Sequence, residues 1–426
     1  MSARVVVIGL GTAGITFITE MRRLKANLNC EIILFEKRGA KIFHPCSIPE
    51  AIEGKINPEN LIEPINLKDI KVIQAEVLEV NPEKKEILFR RDGSVEKMNF
   101  DFVFIATGGE TPIKKNDNIA GFNKVIKATK YEDVVEIKER LRNGVRKVSI
   151  IGAGILGLEI ASALSSYADV EVFEMGEQIL PKFLKKELAQ KLLEYIKRKK
   201  SKGLEFHFGQ KVENPQSLDS DLVIVCVGFI PNNPLPHKIT VDDYMRVKNF
   251  QNNGVPYDYI FAAGDCIEDF DVPKVAPIAA EQARVAARNM WAIIQNREPS
   301  EKYEKIVAPC LIKAFGFEIG KVAVINKLSE TSTFSLDLRV LPFSSDSKMV
   351  VSVEVGNDGS VLDVQGFSDL RSEIRHLLDI FYICIKRKIK IDELRRFEFS
   401  YQPEVCKFPD PITSIAEFVS RRLNLL

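Results

Sequence analysis

The sequence predicts an α/β protein of two successive strand–turn–helix units followed by an α+β domain. Three observations predict it. A strand-like run, a glycine-rich turn and a helical stretch follow one another over residues 5–24. The same order recurs over residues 148–165. Past about residue 308 the pattern switches to short alternating strands and then a helix. A length of 426 residues fits two or three such domains.

Composition narrows the function classes. Lys and Arg number 60 against 59 Asp and Glu, so there is no basic excess for gripping nucleic acid. No apolar run reaches the length of a membrane span, and the start lacks the layout of a signal peptide. The expectation is a cytoplasmic protein with no membrane partner. Seven cysteines are scattered without a C-x-x-C pair, which predicts mostly reduced thiols and no metal site.

In the first unit Val5–Ile8 reads as a strand, Ala13–Leu24 as a helix and Glu31–Phe35 as a strand ending at Glu36. A loop holding Cys46 follows. Strands are predicted around Val72–Val80 and Glu86–Phe89, and at Phe102–Ala106, which runs into Thr107-Gly108. In the second unit Val148–Ile151, Leu158–Ser165 and Val170–Phe173 repeat the strand, helix and strand, ending at Glu174. Lys185–Lys200 reads as a basic amphipathic helix with a solvated face, and Asp221–Val227 as a buried strand. Tyr259–Ala263 then runs into Gly264-Asp265, ahead of a helix over Ala279–Ile294. Strands at Ala323–Asn326, Thr333–Val340, Met349–Val355 and Val361–Gly366, a helix over Ser372–Lys388 and a short tail helix complete the reading.

The two turns carry chemistry. Gly9-Leu10-Gly11-Thr12-Ala13-Gly14 fits G-x-G-x-x-G. Gly9 makes the tight turn, Gly11 lets backbone approach a pyrophosphate, and Gly14 lets helix and strand pack closely. The helix N-terminus presents N–H groups and a positive dipole to phosphates. Glu36, about twenty residues on, stands where an acid accepts ribose hydroxyls. Gly152-Ala153-Gly154-Ile155-Leu156-Gly157, with Glu174, repeats the whole arrangement. Gly152, Gly154 and Gly157 take the same three roles. Two Rossmann-like dinucleotide sites in one chain imply electron transfer between two carriers.

With these residues in view, the chain resembles the FAD-dependent pyridine nucleotide-disulfide oxidoreductases, and within them the single-cysteine branch. That branch holds coenzyme A disulfide reductases, NADH oxidases and peroxidases, and sulfur or polysulfide reductases. The matching segments are Gly9–Gly14, Phe43–Pro49, Ala106-Thr107-Gly108, Gly152–Glu159, Val227–Asn232, Ala262–Asp265 and Tyr401–Ile412. The resemblance implies that the first turn binds FAD, that Thr107-Gly108 closes that domain, and that Asp265 after Gly264 contacts the ribityl chain. It implies NAD(P)H at the second turn, with Glu159 near the nicotinamide or merely stabilising its own helix. It divides the chain into a split FAD domain (1–110 and 245–307), an NAD(P)H domain (111–244) and a C-terminal domain (308–426) that forms a homodimer. NADH is preferred over NADPH, because Glu174 repels a 2′-phosphate and Met175–Gln178 contains no arginine to hold one.

The resemblance makes Cys46 the redox centre. Phe43-His44-Pro45-Cys46-Ser47-Ile48-Pro49 keeps the family spacing, but Ser47 replaces the usual glycine and Glu50 stands where tyrosine is common. Ala51 occupies the place of a second cysteine, so an internal disulfide of the dithiol type is excluded. One thiolate can attack a disulfide and hold half of it, or form a persulfide or sulfenic acid. A following helix and His44 are the candidate means of favouring the thiolate. Tyr401 is a candidate proton donor, and Cys406 a candidate resolving partner from a second subunit. Three readings follow: reduction of a small-molecule disulfide or polysulfide, oxidation of NADH by oxygen or peroxide, and a flavoprotein sensor or electron-transfer partner.

Overall fold

The computed structural model describes residues 3–24, 30–112, 124–200, 203–268, 274–304, 309–324, 331–339, 348–369, 373–402 and 408–425. Its contacts divide the chain into two units. The first comprises Met1–Ile48, Ile56–Ile113 and Gly228–Glu304, and the second Pro49–Lys55, Lys114–Val227 and Lys305–Leu426.

The first unit is built on a sheet ordered Arg246–Asn249, Val255–Ala262, Phe102–Ile105, Ala3–Ile8, Cys30–Phe35 and Lys71–Ile73. Apart from the antiparallel edge strand Arg246–Asn249, the pairings are parallel. Val5, Val6 and Val7 are wholly buried, as expected of a central parallel strand covered on both faces. The helices Thr12–Leu24 and Ala276–Ile294 accompany it, and Phe17 of the first stacks on Phe104 at 4.0 Å. The strand expected over Val72–Val80 is two strands. Lys71–Ile73 joins the parallel sheet, whereas Glu76–Asn81 starts an antiparallel ribbon with Glu86–Arg91 and Ser94–Asn99. The chain re-enters this unit at Gly228, where Ile230–Pro231 pairs with Gly109–Glu110.

The second unit holds two sheets. One is parallel, in the order Val125–Ile126, Leu222–Val225, Lys147–Ile151, Asp169–Glu174, Leu204–Phe208. The other is antiparallel, in the order Cys310–Ala314, Phe317–Ala323, Val361–Ser368, Lys348–Gly356, Thr331–Arg339. Its apolar face packs on the helices Glu373–Arg387 and Pro411–Arg422 through Val351, Val353, Leu377, Phe381 and Ile415.

The opposite face of that antiparallel sheet mixes buried polar residues with Phe317 and Phe367, and meets the helix Lys186–Lys199. The helix keeps the expected solvated basic face at Lys186, Lys197 and Arg198, while its other side engages the sheet. Lys185 Nζ lies 2.7 Å from Glu354 Oε2, and the Lys185 N–H donates to Gln365 at 2.8 Å. Lys191 pairs with Asp337 at 3.0 Å, and Lys199 Nζ sits 3.9 Å from the Phe317 ring centroid. Acidic residues from neighbouring strands thus receive a helix whose charge alternation the sequence shows but whose partners it does not.

Candidate active site

In each parallel sheet the strand that leads into the glycine turn lies between two neighbours whose connections leave in opposite directions. Such a switch point opens a crevice at the carboxyl ends of the strands. Ala3–Ile8 stands between Cys30–Phe35 and Phe102–Ile105, and Lys147–Ile151 between Asp169–Glu174 and Leu222–Val225. Both glycine turns occupy those ends.

The turns are built alike. Gly9 N–H donates to Phe35 O at 2.9 Å, and Gly152 N–H to Phe173 O at 2.7 Å. Both glycines have positive φ, +96° and +101°. A Cβ on Gly9 would meet Ala106 O at 2.4 Å, and one on Gly152 would meet Cys226 O at 2.5 Å. A Cβ on Gly14 or Gly157 would fall 2.1 or 1.9 Å from the carbonyl of the first glycine. Gly11 and Gly154 differ: a Cβ there meets nothing within 4 Å. Two glycines of each turn therefore serve packing, and the middle one leaves open space where a pyrophosphate backbone approach is needed.

The acids repeat too. Glu36 accepts from Leu10 N–H at 2.9 Å and Arg38 N–H at 3.1 Å. Glu174 accepts from Ala153 N–H at 2.8 Å and Gly176 N–H at 2.8 Å. Each acid is buried and ties the glycine turn to the end of the second strand. The residues present fit two dinucleotides.

In the first unit three further segments converge on the Gly9 turn. Ala106 packs against Gly9, and the space beside Gly264 is bounded by Ala13 and Ala279. Thr107 Oγ1 donates to Asn232 O, Asn232 Nδ2 to Thr107 O at 3.2 Å, and Asn232 N–H to Gly108 O at 2.9 Å. Gly264 N–H donates to the buried Gln282 Oε1 at 2.8 Å. Burial raises the Asp265 carboxyl above its ordinary range, against the lowering charge of Lys274. Lys274 Nζ also donates to Ile267 O at 2.6 Å. Asn232, Gln282 and Lys274 are supports that the sequence reading did not assign. Only Asn232 had a signal, since it closes a matched segment.

Cys46 lies in the 3₁₀ turn Pro45–Ser47, directly ahead of the short helix Ile48–Glu53. It is exposed, whereas Cys30, Cys226, Cys266, Cys310 and Cys384 are buried. Burial pushes Cys226 up to about 12 and Cys266 and Cys384 up to about 11. The helix after Cys46 is held at its far end within the second unit. Lys138 Nζ donates to Ala51 O at 2.8 Å and Tyr167 OH to Glu53 O at 2.6 Å, a cation and a hydroxyl on its terminal carbonyls. His44 directs Nε2 to Glu63 Oε2 at 2.9 Å. Tyr401 is exposed in the second unit, edge-on to Phe408 at 5.7 Å. Cys406 lies outside the described residues.

Glu159, on the helix Ile155–Leu164, accepts a 3.4 Å hydrogen bond from Lys313 N–H. Ser162 Oγ, three residues on, accepts from Phe315 N–H at 2.7 Å. Both cap N–H groups at the edge strand Cys310–Ala314. Burial, with a contribution from the Glu50 charge, pushes the Glu159 carboxyl up to about 7. One Glu50 oxygen is itself buried with no hydrogen-bond partner among the described residues.

The pyridine nucleotide-disulphide oxidoreductase profile matches residues 3–283. The chain belongs to this family. It is therefore an oxidoreductase of the kind that works with FAD and a pyridine nucleotide. Across 99% of its length it is 28% identical to an NADH oxidase of Methanocaldococcus jannaschii, covering 99% of that protein. A coenzyme A disulfide reductase of Staphylococcus aureus is 24% identical over 97% of this chain and 98% of its own. Among solved structures, an NAD-dependent persulfide reductase from A. fulgidus superposes with a TM-score of 0.84. It is 24% identical, covering 99% of this chain and 84% of that one. This oxidoreductase thus shares its fold with enzymes of differing electron acceptors. No described helix is long and apolar enough to cross a membrane.

Proposed function

We propose that this oxidoreductase reduces a small-molecule disulfide or polysulfide through Cys46. The observation that carries the reading is that Cys46 is the one exposed thiol among the described cysteines. Residues 1–110 with 245–307 are assigned to FAD, through Gly9, Gly11, Gly14, Glu36, Thr107, Gly108, Gly264 and Asp265. Residues 111–244 are assigned to NAD(P)H, through Gly152, Gly154, Gly157, Glu159 and Glu174, and residues 308–426 to dimer formation. When bound, the two cofactors supply the electron pair that disulfide reduction consumes.

The Cys46 thiolate attacks one sulfur of the disulfide, forms a mixed disulfide and expels the other half as a thiolate. That leaving group takes up one proton, for which Tyr401 is the candidate donor. His44 acts by holding the turn through Glu63 rather than as a base. Glu174 favours NADH by repelling a 2′-phosphate. The charge balance and the reduced cysteines suit a cytoplasmic homodimer.

A second reading, reduction of oxygen or peroxide through a Cys46 sulfenic acid, is favoured by the 28% identity to the Methanocaldococcus NADH oxidase. Anaerobic NADH titration of wild type and Cys46→Ser tests the cysteine. After treatment with coenzyme A disulfide and removal of the excess, uptake of about four electrons per FAD, falling to two in the variant, supports it, because reducing the Cys46 mixed disulfide consumes a second pair. Equal uptake of two electrons by both proteins sinks it. NADH consumption in air against consumption with added coenzyme A disulfide or polysulfide then separates the two readings.

A further inference from the structure

Away from the glycine turns, the second unit's parallel sheet carries a polar patch on one face. Ser149 stands opposite Glu171, Glu171 opposite Glu205, and Phe173 opposite His207. Residues opposed across parallel strands, or two apart along one, leave the same face. The His207 ring lies over Phe173 at 4.6 Å and 16°, which sets its orientation. One ligand atom from each of Glu171, Glu205 and His207 lies within 4.8 Å of the other two. His207 Nε2 is 3.9 Å from Glu205 Oε2, too far for a hydrogen bond. That nitrogen is buried and has no hydrogen-bond partner among the described residues. Neither has Ser149 Oγ, on a side chain that is 0% exposed. A buried polar group left without a partner is costly. Two such atoms on one patch mark a place for a further group.

We propose that Glu171, Glu205 and His207 Nε2 bind a divalent first-row transition metal, with zinc as the best match. Imidazole and carboxylate are ordinary zinc ligands at about 2.0–2.2 Å. Ligands around such an ion stand about 3–4 Å apart, so the present cluster needs only a small contraction. Glu205 can supply it, with 70% of its side chain exposed on the edge strand. Water completes the coordination, and the Ser149 hydroxyl donates to a ligating carboxylate as an outer support. Lys147 Nζ, 3.2 Å from Glu171 and 3.8 Å from Asp219, is the competing cation, and it shifts toward Asp219 when metal enters. The ion would staple Leu204–Phe208 to Asp169–Glu174, the strand that ends at Glu174. Its role is structural, and it does not rest on the Cys46 chemistry.

The test is calorimetric titration of the full-length flavoprotein with zinc chloride. Wild type should bind one zinc per chain. His207→Gln and Glu205→Gln should each weaken binding on the order of 100-fold, Cys46→Ser should leave it unchanged, and Lys147→Met should tighten it several-fold. Zinc should raise the melting temperature of wild type but not of His207→Gln. Absence of binding in wild type, its loss in Cys46→Ser, or its persistence in both ligand variants overturns the proposal. If His207→Gln does not fold, the exposed Glu205 keeps the test intact.

Discussion

Replacing Glu159 with glutamine should flatten the dependence of stability on pH. The carboxyl titrates at about 7 in the folded chain against an ordinary 4.5, because burial and the charge of Glu50 disfavour its ionised form. The folded state therefore holds the proton more tightly than the unfolded state. The stability this contributes is fully present below pH 4.5 and is lost as pH rises through about 7. Each tenfold difference in proton affinity is worth about 1.4 kcal/mol, and partial exposure trims the total to about 2–3 kcal/mol. Glutamine keeps the acceptor for Lys313 N–H but cannot ionise. Glu159→Gln should match wild type near pH 5 and exceed it by about 2–3 kcal/mol at pH 8.5. Urea unfolding at intervals across that range measures the difference. Parallel pH slopes for the two proteins would refute the assignment of the proton to Glu159.

The two kinds of turn glycine should separate in mutagenesis. Gly14→Ala should abolish the folded flavoprotein, since its Cβ falls 2.1 Å from a carbonyl, while Gly11→Ala should fold normally and lose FAD affinity, both read by flavin content and circular dichroism. Lys185→Met should destabilise by about 2–4 kcal/mol, measured by denaturant titration, because it removes the ammonium paired with the buried Glu354 carboxylate. Brief alkylation of native protein, followed by mass spectrometry, should modify Cys46 and spare Cys226, Cys266 and Cys384 until denaturant is added. Equal labelling of these four would contradict their burial.

Much of the nucleotide architecture is legible because its rules are local. The glycine spacing and the apolar runs beside it are set by close backbone contacts, and Val5–Ile8, Val148–Ile151 and the Ala279–Ile294 helix fall inside observed elements. What escaped the reading depends on partners far along the chain. The helix Tyr131–Arg142 buries only Val134 and Ile137 deeply, too narrow a stripe to stand out. Leu204–Phe208, by contrast, alternates apolar residues with Glu205 and His207, a short period-two signal that the reading passed over. The same holds at the site. Glu36 and Glu174 are readable from spacing and Cys46 enters only through the family resemblance, whereas the grips of Gln282 on Gly264 and of Glu159 on Lys313 are tertiary.

The bonds from Glu159 and Ser162 to the Cys310–Ala314 strand have a consequence for assembly. An unpaired strand edge is a template on which another chain can add itself. Here Glu159 of the helix Ile155–Leu164 takes the Lys313 N–H on that edge, and Ser162 takes the Phe315 N–H just past its end, so a strand added there must first displace Glu159. Growth of the C-terminal sheet is left to its other border, Thr331–Arg339. A side chain on the helix after the second glycine turn thus also bears on which side this sheet may be joined.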